Sequence, residues 1–235
     1  RALAAALLAF YGFLFLIVSL APPPGWGPCF AALALIYGAG FFSLVAGYFW
    51  ARWFSIGLGM SGLISAVVSM TQIGLEPVLL FYGLTHAAVA VVLWGTPMAA
   101  AFDGKREWRE RFSLDENGTH RLGKAIIRAG ISLPYVVMYA LAPRDGATSV
   151  ILAMAALGLA AIGIWGLVST RTWSLAAILG AAAALIGSVI SLQASVAPMA
   201  GGYGISLILL GLGGAALLVS ATAPFLRPAI RYLRA

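Results

Sequence analysis

Long apolar runs, separated by short breaks of proline, glycine and polar residues, make up most of the chain. Each run is about 20 residues long, which is the length that an α-helix needs to cross a hydrocarbon core of about 30 Å. The runs predict an all-α polytopic membrane protein. Its eight predicted transmembrane helices lie near residues 2–20, 29–50, 53–73, 77–100, 125–142, 147–170, 173–193 and 203–226.

Two short motifs each occur twice in the chain. Leu-Ala-Pro-x-x-Gly begins at Leu20 and again at Leu141, and Gln-x4-Pro-x4-Tyr-Gly begins at Gln72 and again at Gln193. The two copies of each motif are 121 residues apart. Because a fixed period indicates a duplicated structural unit, we predict two parallel four-helix repeats at this offset.

The repeat divides the chain into three parts. Residues 1–100 form the first membrane unit, residues 101–123 a cytoplasmic linker, and residues 124–235 the second membrane unit. Since each unit has an even number of spans, both enter the membrane from the same side and are related by an axis along the membrane normal. Residues 2–20 belong to the first unit, so we interpret them as a span and not as a cleaved signal peptide.

The linker, residues 101–123, is the only substantial hydrophilic segment. Oppositely charged residues such as Arg106 and Glu110 are four residues apart, a spacing that places them on one helix face. This predicts a short amphipathic helix on the membrane surface, followed by a turn at Asn117-Gly118. The linker either tethers the two units or binds a protein partner or anionic lipid.

The basic residues indicate the orientation of the chain. If the N-terminus is cytoplasmic, every lysine and arginine except Arg144 lies on the cytoplasmic side of the eight spans, and Arg144 is followed by Asp145. The positive-inside rule therefore predicts that both termini are cytoplasmic. Richness in alanine and glycine is typical of a GC-rich prokaryotic genome, which predicts a prokaryotic cytoplasmic (inner) membrane.

Composition excludes several classes of protein. Apolar residues make up 62% of the chain and charged residues 9%, against roughly 45–50% and 25% in globular proteins, which leaves no room for a soluble domain. The net charge of +7 comes from cations at the ends of apolar runs, so we do not expect nucleic acid as a partner. A single cysteine, Cys29, excludes an internal disulfide and a cysteine metal cluster. We predict no metal site and no cofactor.

Ionisable residues within a membrane are costly and are therefore functional candidates. His86 follows Pro77 by nine residues, or about 13 Å along a helix, which places it near the middle of the membrane. Tyr82 lies one helical turn from His86 on the same face. Together with Gln72 and Glu76 they are predicted to line one outward-facing pocket that binds a substrate.

The second repeat contains only part of this set. Gln193 and Tyr203 correspond to Gln72 and Tyr82 and are included in the predicted substrate site, whereas Ala197 and Leu207 take the places of the acid and the histidine. The shared residues are interpreted as architectural. Glu76 and His86, present in one half only, are the residues in which function is expected.

The segment Gly59-Met60-Ser61-Gly62 resembles the Gly-x-Ser-Gly element of rhomboid intramembrane proteases. The resemblance implies a serine nucleophile at Ser61 with His86 as its base, which requires a hydrogen bond between them. The alternative interpretation is close helix packing, because small residues let membrane helices approach one another. Packing is the preferred interpretation of this segment.

Three functions are compatible with these features. The leading hypothesis is a transporter-like or channel-like protein that moves a small solute between the two four-helix halves. The alternatives are a non-catalytic subunit or assembly factor of a larger membrane complex, and an intramembrane enzyme that acts on lipid or peptide. The sequence favours a protein without enzymatic activity, surrounded by lipid and able to form a homo-oligomer.

Overall fold

The computed structural model describes the backbone of residues 1–102, 116–144, 146–196 and 202–234. These residues contain no strand and form nine helices: α1 (Ala2–Leu20), α2 (Gly27–Ala46), α3 (Ala51–Ile73), α4 (Pro77–Trp94), α5 (Thr96–Phe102), α6 (Glu116–Leu141), α7 (Ala147–Val168), α8 (Ser174–Val196) and α9 (Gly202–Arg234). All but the short α5 are long and apolar enough to cross a membrane. The prediction of an all-α protein with eight such helices is confirmed.

Large apolar side chains cover much of the described surface. Leu35 is 76% exposed and Val78 is 78% exposed, and many other leucine, valine and phenylalanine side chains are also open. Soluble monomers rarely expose such extensive apolar area. A hydrocarbon environment accounts for these exposed residues, and the chain is an integral membrane protein.

The helices pack as two groups around α3 and α6, the two most buried spans. In the first group α1 packs on α2 and α3 packs on α4. In the second group α6 packs on α9, α7 packs on α8, and α8 also contacts α9. The groups meet mainly where α3 lies against α6, with a smaller contact between α2 and α6.

Glycine permits the close approach of α3 and α6. A Cβ atom at Gly57 would lie 2.5 Å from the carbonyl oxygen of Ile127 and 2.9 Å from the Cα atom of Gly130. A Cβ atom at Gly123 would lie 2.7 Å from the indole of Trp53. Backbone therefore packs directly on backbone between the two groups, as small residues allow in membrane proteins.

The two Leu-Ala-Pro-x-x-Gly motifs lie in the turns after α1 and α6. Their glycines, Gly25 and Gly146, adopt φ values of 79° and 98°, which side chains other than glycine rarely adopt. Each motif therefore begins at the last residue of one helix and continues into the turn that follows. The turns also adjoin, because a Cβ atom at Gly25 would lie 2.9 Å from the side chain of Pro143.

Arginines bind the last carbonyl groups of two helices at the other end of the bundle. Arg1 donates to the carbonyl oxygen of Val45 near the end of α2, and Arg52 donates to that of Leu93 near the end of α4 over 3.1 Å. Cations at helix C-termini satisfy free carbonyl groups and oppose the helix dipole. We call this end, which also carries Lys124 and Arg171, the basic end.

The start of α6 differs from the prediction. Asn117-Gly118 was expected to form a turn, and that prediction is wrong, because both residues lie within α6. The side chains of Leu122, Ala125 and Ile126 are buried. Packing of this apolar face stabilises the helix as far as its first residues, where Asn-Gly alone would favour a turn. The predicted amphipathic helix containing Arg106 and Glu110 lies outside the described residues.

Candidate functional site

His86 lies in α4 with its side chain fully buried. The imidazole fits beside α3 because Gly62 has no side chain, and a Cβ atom there would overlap the ring. A Cβ atom at Gly59 would lie 2.7 Å from the His86 carbonyl oxygen. The small residues of the Gly59-Met60-Ser61-Gly62 segment thus make room for this histidine and its helix.

Both imidazole nitrogens of His86 are hydrogen-bonded. Nδ1 lies 2.8 Å from the carbonyl oxygen of Tyr82, which can only accept, so Nδ1 carries a hydrogen and donates it. Nε2 lies 2.8 Å from the hydroxyl of Tyr37 in α2. In the neutral imidazole Nε2 is an acceptor, and the Tyr37 hydroxyl donates to it. The histidine thereby links α4 to α2.

Tyrosine rings surround this histidine. The ring centroids of Tyr82 and Tyr11 lie 4.1 Å and 4.2 Å from that of His86, and the Tyr37 ring lies edge-on at 5.7 Å. The Tyr11 hydroxyl is hydrogen-bonded to Thr85, and the Thr85 hydroxyl can donate to the carbonyl oxygen of Phe81 over 2.8 Å. The result is a buried polar and aromatic cluster in the first helix group.

A cavity of about 250 Å³ lies next to this cluster, between the two helix groups. The first group lines it from α1, α2, α3 and α4, and the second lines it from α6 and α9. The lining residues are Phe15, Phe30, Leu33, Tyr37, Ser61, Ser65, Tyr82, Pro134, Tyr135, Met138 and Leu210. None of these described lining residues is charged.

Two hydrogen bonds connect the groups at the cavity. The Tyr135 hydroxyl donates to the carbonyl oxygen of Ser61 over 3.0 Å, and the Ser65 hydroxyl donates to the Tyr135 oxygen over 3.1 Å. Tyr135 follows Pro134 in α6, and Ser61 and Ser65 lie one turn apart in α3. The cavity wall therefore contains hydroxyl groups from both helix groups.

The cavity lies in the part of the bundle away from the basic end. Phe30 is near the start of α2 and Met138 is near the end of α6, both at the opposite end. Tyr37 is ten residues after Gly27, or about 15 Å farther along its helix. The cavity thus extends from near that end to about the middle of the bundle.

The structure brings together two of the predicted site residues, Tyr82 and His86. Gln72 and Glu76 are exposed in the region where α3 ends and α4 begins, and they are not buried with the histidine. Gln193 is also exposed, near the end of α8. The Tyr203 side chain lies outside the described residues.

Ser61 borders the cavity without forming a pair with the histidine. The two nitrogens of His86 are bonded to Tyr37 and to the Tyr82 carbonyl. Ser61 instead offers its backbone carbonyl to Tyr135. The Ser61–His86 hydrogen bond that a rhomboid-like dyad requires is not formed between these residues.

The second helix group has a polar network of its own. The Tyr139 hydroxyl lies 3.0 Å from the Ser188 hydroxyl, and Ser149 donates to the Ser188 carbonyl oxygen over 3.1 Å. The Arg144 guanidinium lies over the Tyr139 ring, 4.2 Å from its centroid. This network joins α6, α7 and α8. Asp145, expected to accompany Arg144, lies outside the described residues.

Sequence reasoning missed the tyrosines from other helices, above all Tyr11, Tyr37 and Tyr135. The sequence contained a signal for them. Tyrosine in membrane helices is enriched at the two membrane interfaces, so a tyrosine near the middle of a span is unusual. These three lie well inside their spans. Buried tyrosine hydroxyls require partners, so their depth alone points to a polar site.

No group of three or more His, Cys, Asp or Glu side chains that could hold a metal ion occurs among the described residues. The cavity between the two helix groups is lined by uncharged residues that include hydroxyl groups and aromatic rings. Comparisons with protein-family models, with curated proteins and with solved structures found no match for this chain.

Proposed function

We propose that the protein is a transporter or channel for a small uncharged solute, which passes between the two four-helix halves. The observation that carries the proposal is the cavity of about 250 Å³ between the helix groups. Binding sites for small molecules are concave, largely apolar and furnished with a few polar groups. The hydroxyls of Ser65, Tyr37 and Tyr135 are such groups.

The chemistry of the cavity indicates the class of solute. An ion would need charged side chains or converging carbonyl groups in place of its water, and the described lining residues are uncharged. Aromatic rings from Phe15, Tyr37 and Tyr82 favour a solute with an apolar body, and the hydroxyls favour one with hydrogen-bonding groups. A small neutral molecule fits both requirements.

The proposal assigns His86 a positioning role. Its bond to Tyr37 and its ring contact with Tyr82 fix two residues whose side chains line the cavity. The outward-facing pocket predicted from the sequence becomes the entrance of the path. Its residues are Gln72, Glu76, Gln193 and Tyr203. In this proposal the entrance is at the end of the bundle opposite the basic end.

The proposal also includes the architecture predicted from the sequence. The two units, 1–100 and 124–235, are repeats related by an axis along the membrane normal. The basic end faces the cytoplasm, in agreement with the positive-inside rule, and the membrane is a prokaryotic inner membrane. Binding of a protein partner at 101–123 and homo-oligomer formation stay predictions.

A liposome assay tests the proposed function. Purified protein is reconstituted, and the entry of a panel of small neutral solutes is followed by light scattering after osmotic shock. We expect at least one solute to enter faster than in protein-free liposomes. We expect Ser65→Phe, which fills the cavity, to reduce that rate to the protein-free value.

Val68→Phe is the matched control, because Val68 is on the same helix and is 49% exposed. It adds the same ring to the lipid-facing surface and should leave the rate unchanged. Equal rates in Ser65→Phe and the wild type would contradict a path through the cavity. Entry no faster than in empty liposomes for every solute would favour the alternative role as a subunit of a larger complex.

A further inference from the structure

A second, larger pocket lies at the basic end, between α6 and α9. Its volume is about 560 Å³, and its lining residues are Asn117, His120, Arg121, Lys124, Arg128, Ala223 and Pro224. It shares no lining residue with the cavity of about 250 Å³ between the two helix groups. The proposed function does not use it.

The helix period explains why the basic residues converge here. Lys124 follows His120 by four residues and precedes Arg128 by four, so the three side chains lie on one face of α6. Leu122 and Ala129 are buried in the core. The amphipathic start of α6 thus directs its apolar face into the bundle and its basic face towards α9.

Arg128 is fixed in place by a proline on the neighbouring helix. Pro224 has no backbone N–H, so the carbonyl group of Ser220, four residues earlier, lacks its usual helical donor. The Arg128 guanidinium donates to this carbonyl oxygen over 2.7 Å. The guanidinium is thereby held at the pocket wall in a partly buried position, and its other nitrogens can donate to a ligand.

Among the side chains that the structure describes, no acidic one lies at this pocket. Glu76 is the one acidic residue whose side chain the structure describes, and it lies at the opposite end of the bundle. The adjoining segment 103–116 contains five acidic and four basic residues, so its own charges nearly cancel. The described lining of the pocket, with Arg121, Lys124 and Arg128, therefore carries a net positive charge that an anionic ligand can use.

We propose that this pocket binds a phosphate group, presented by an anionic phospholipid of the adjacent leaflet. Arginine guanidinium groups and lysine ammonium groups are the usual hydrogen-bond donors to phosphate oxygens. Basic pockets between transmembrane helices at a membrane surface recognise anionic headgroups. Ala223 and Pro224 provide an apolar wall beside the basic one, as a glycerol backbone with attached acyl chains requires.

Lipid binding to the purified, delipidated full-length protein tests the proposal. The protein in dodecyl maltoside is titrated with dioleoylphosphatidylglycerol, and bound copies are counted by native mass spectrometry. We expect Lys124→Gln to weaken binding about fivefold, since one basic residue near an anionic surface contributes about 1 kcal/mol. The Arg121→Gln/Lys124→Gln double variant should weaken it about thirtyfold.

Arg171→Gln is the matched control for Lys124→Gln, because it also removes one exposed cation at the basic end without altering a lining residue of this pocket. It should leave the affinity unchanged. Dioleoylphosphatidylcholine should bind more weakly than the anionic lipid. Equal affinities for the two lipids, or equal losses in Arg171→Gln and Lys124→Gln, would overturn the proposal.

Inorganic phosphate distinguishes the two sources of a phosphate group. If it fails to displace the bound lipid at millimolar concentration, the lipid assignment stands. If inorganic phosphate instead stabilises the wild type but not the double variant against heat, and the lipid binds both equally, the pocket takes a soluble phosphate compound. That result would keep the phosphate site and overturn its assignment to lipid.

Discussion

The Gly57→Ala variant is expected to unfold about 5–10 °C below the wild type. The added methyl group would lie 2.5 Å from the Ile127 carbonyl oxygen and 2.9 Å from the Gly130 Cα atom. Both neighbours are backbone atoms, so no change of rotamer can relieve the overlap, and α3 must move away from α6. The whole contact between the two helix groups is weakened as a result.

The single cysteine provides the measurement. Cys29 is completely buried near the start of α2, so a thiol-reactive fluorescent dye labels it only as the protein unfolds on heating. Gly158→Ala is the control, because a Cβ atom at Gly158 meets nothing within 4 Å. There the gain in helix propensity should leave stability unchanged or slightly higher. An equal unfolding temperature for the two variants would show that α3 and α6 are not in backbone contact.

The second large effect is expected from Gly62→Ala, which places a methyl group where the His86 ring lies. The imidazole has to leave its position, and its bonds to Tyr37 and to the Tyr82 carbonyl are lost with it. Overpacking of this kind costs about 1–3 kcal/mol, and each hydrogen bond in a membrane protein adds about 0.6 kcal/mol. We expect a loss of stability of about 2–4 kcal/mol.

A double-mutant cycle with His86→Ala tests the cause of that loss. Removing the imidazole makes room for the methyl group, so Gly62→Ala should cost about 2 kcal/mol less in the His86→Ala background than in the wild type. Unfolding followed by Cys29 reactivity again provides the readout. A strictly additive cycle would mean that His86 does not lie against Gly62.

The eight spans could be predicted from the sequence because each apolar run has the length that a bilayer requires. The helix ends were predictable where backbone chemistry determines them. Pro77 begins α4, as expected for a residue without a backbone donor, and glycines with positive φ follow α1 and α6 closely. These features depend on local properties of the chain.

The start of α6 could not be predicted in this way. Asn117-Gly118 has a strong turn preference, and the basic residues that follow resemble a loop. The helix forms because Leu122, Ala125 and Ile126 bury one face, and Gly123 receives the indole of Trp53. Packing against a distant helix outweighs the local preference here.

The candidate site was predictable only within one helix. Tyr82 and His86 are one turn apart, so the α-helical period alone places them on the same face. The contacts of His86 with Tyr37 and Tyr11 depend on which helices are neighbours and on how each helix is rotated. Nothing in a single apolar sequence determines those two properties, so a path between the halves could be predicted, but the residues that line the cavity emerged only from the structure.

Water access to the cavity tests the proposed solute path most directly. In a Cys29→Ala background, Ser65→Cys places a thiol in the cavity wall, and Ser188→Cys places one in the fully buried network of the second group. A small charged methanethiosulfonate reagent is added to the folded protein in membranes. The account predicts that Ser65→Cys is modified while Ser188→Cys is not. Equal protection of both thiols would contradict a water-accessible path between the halves.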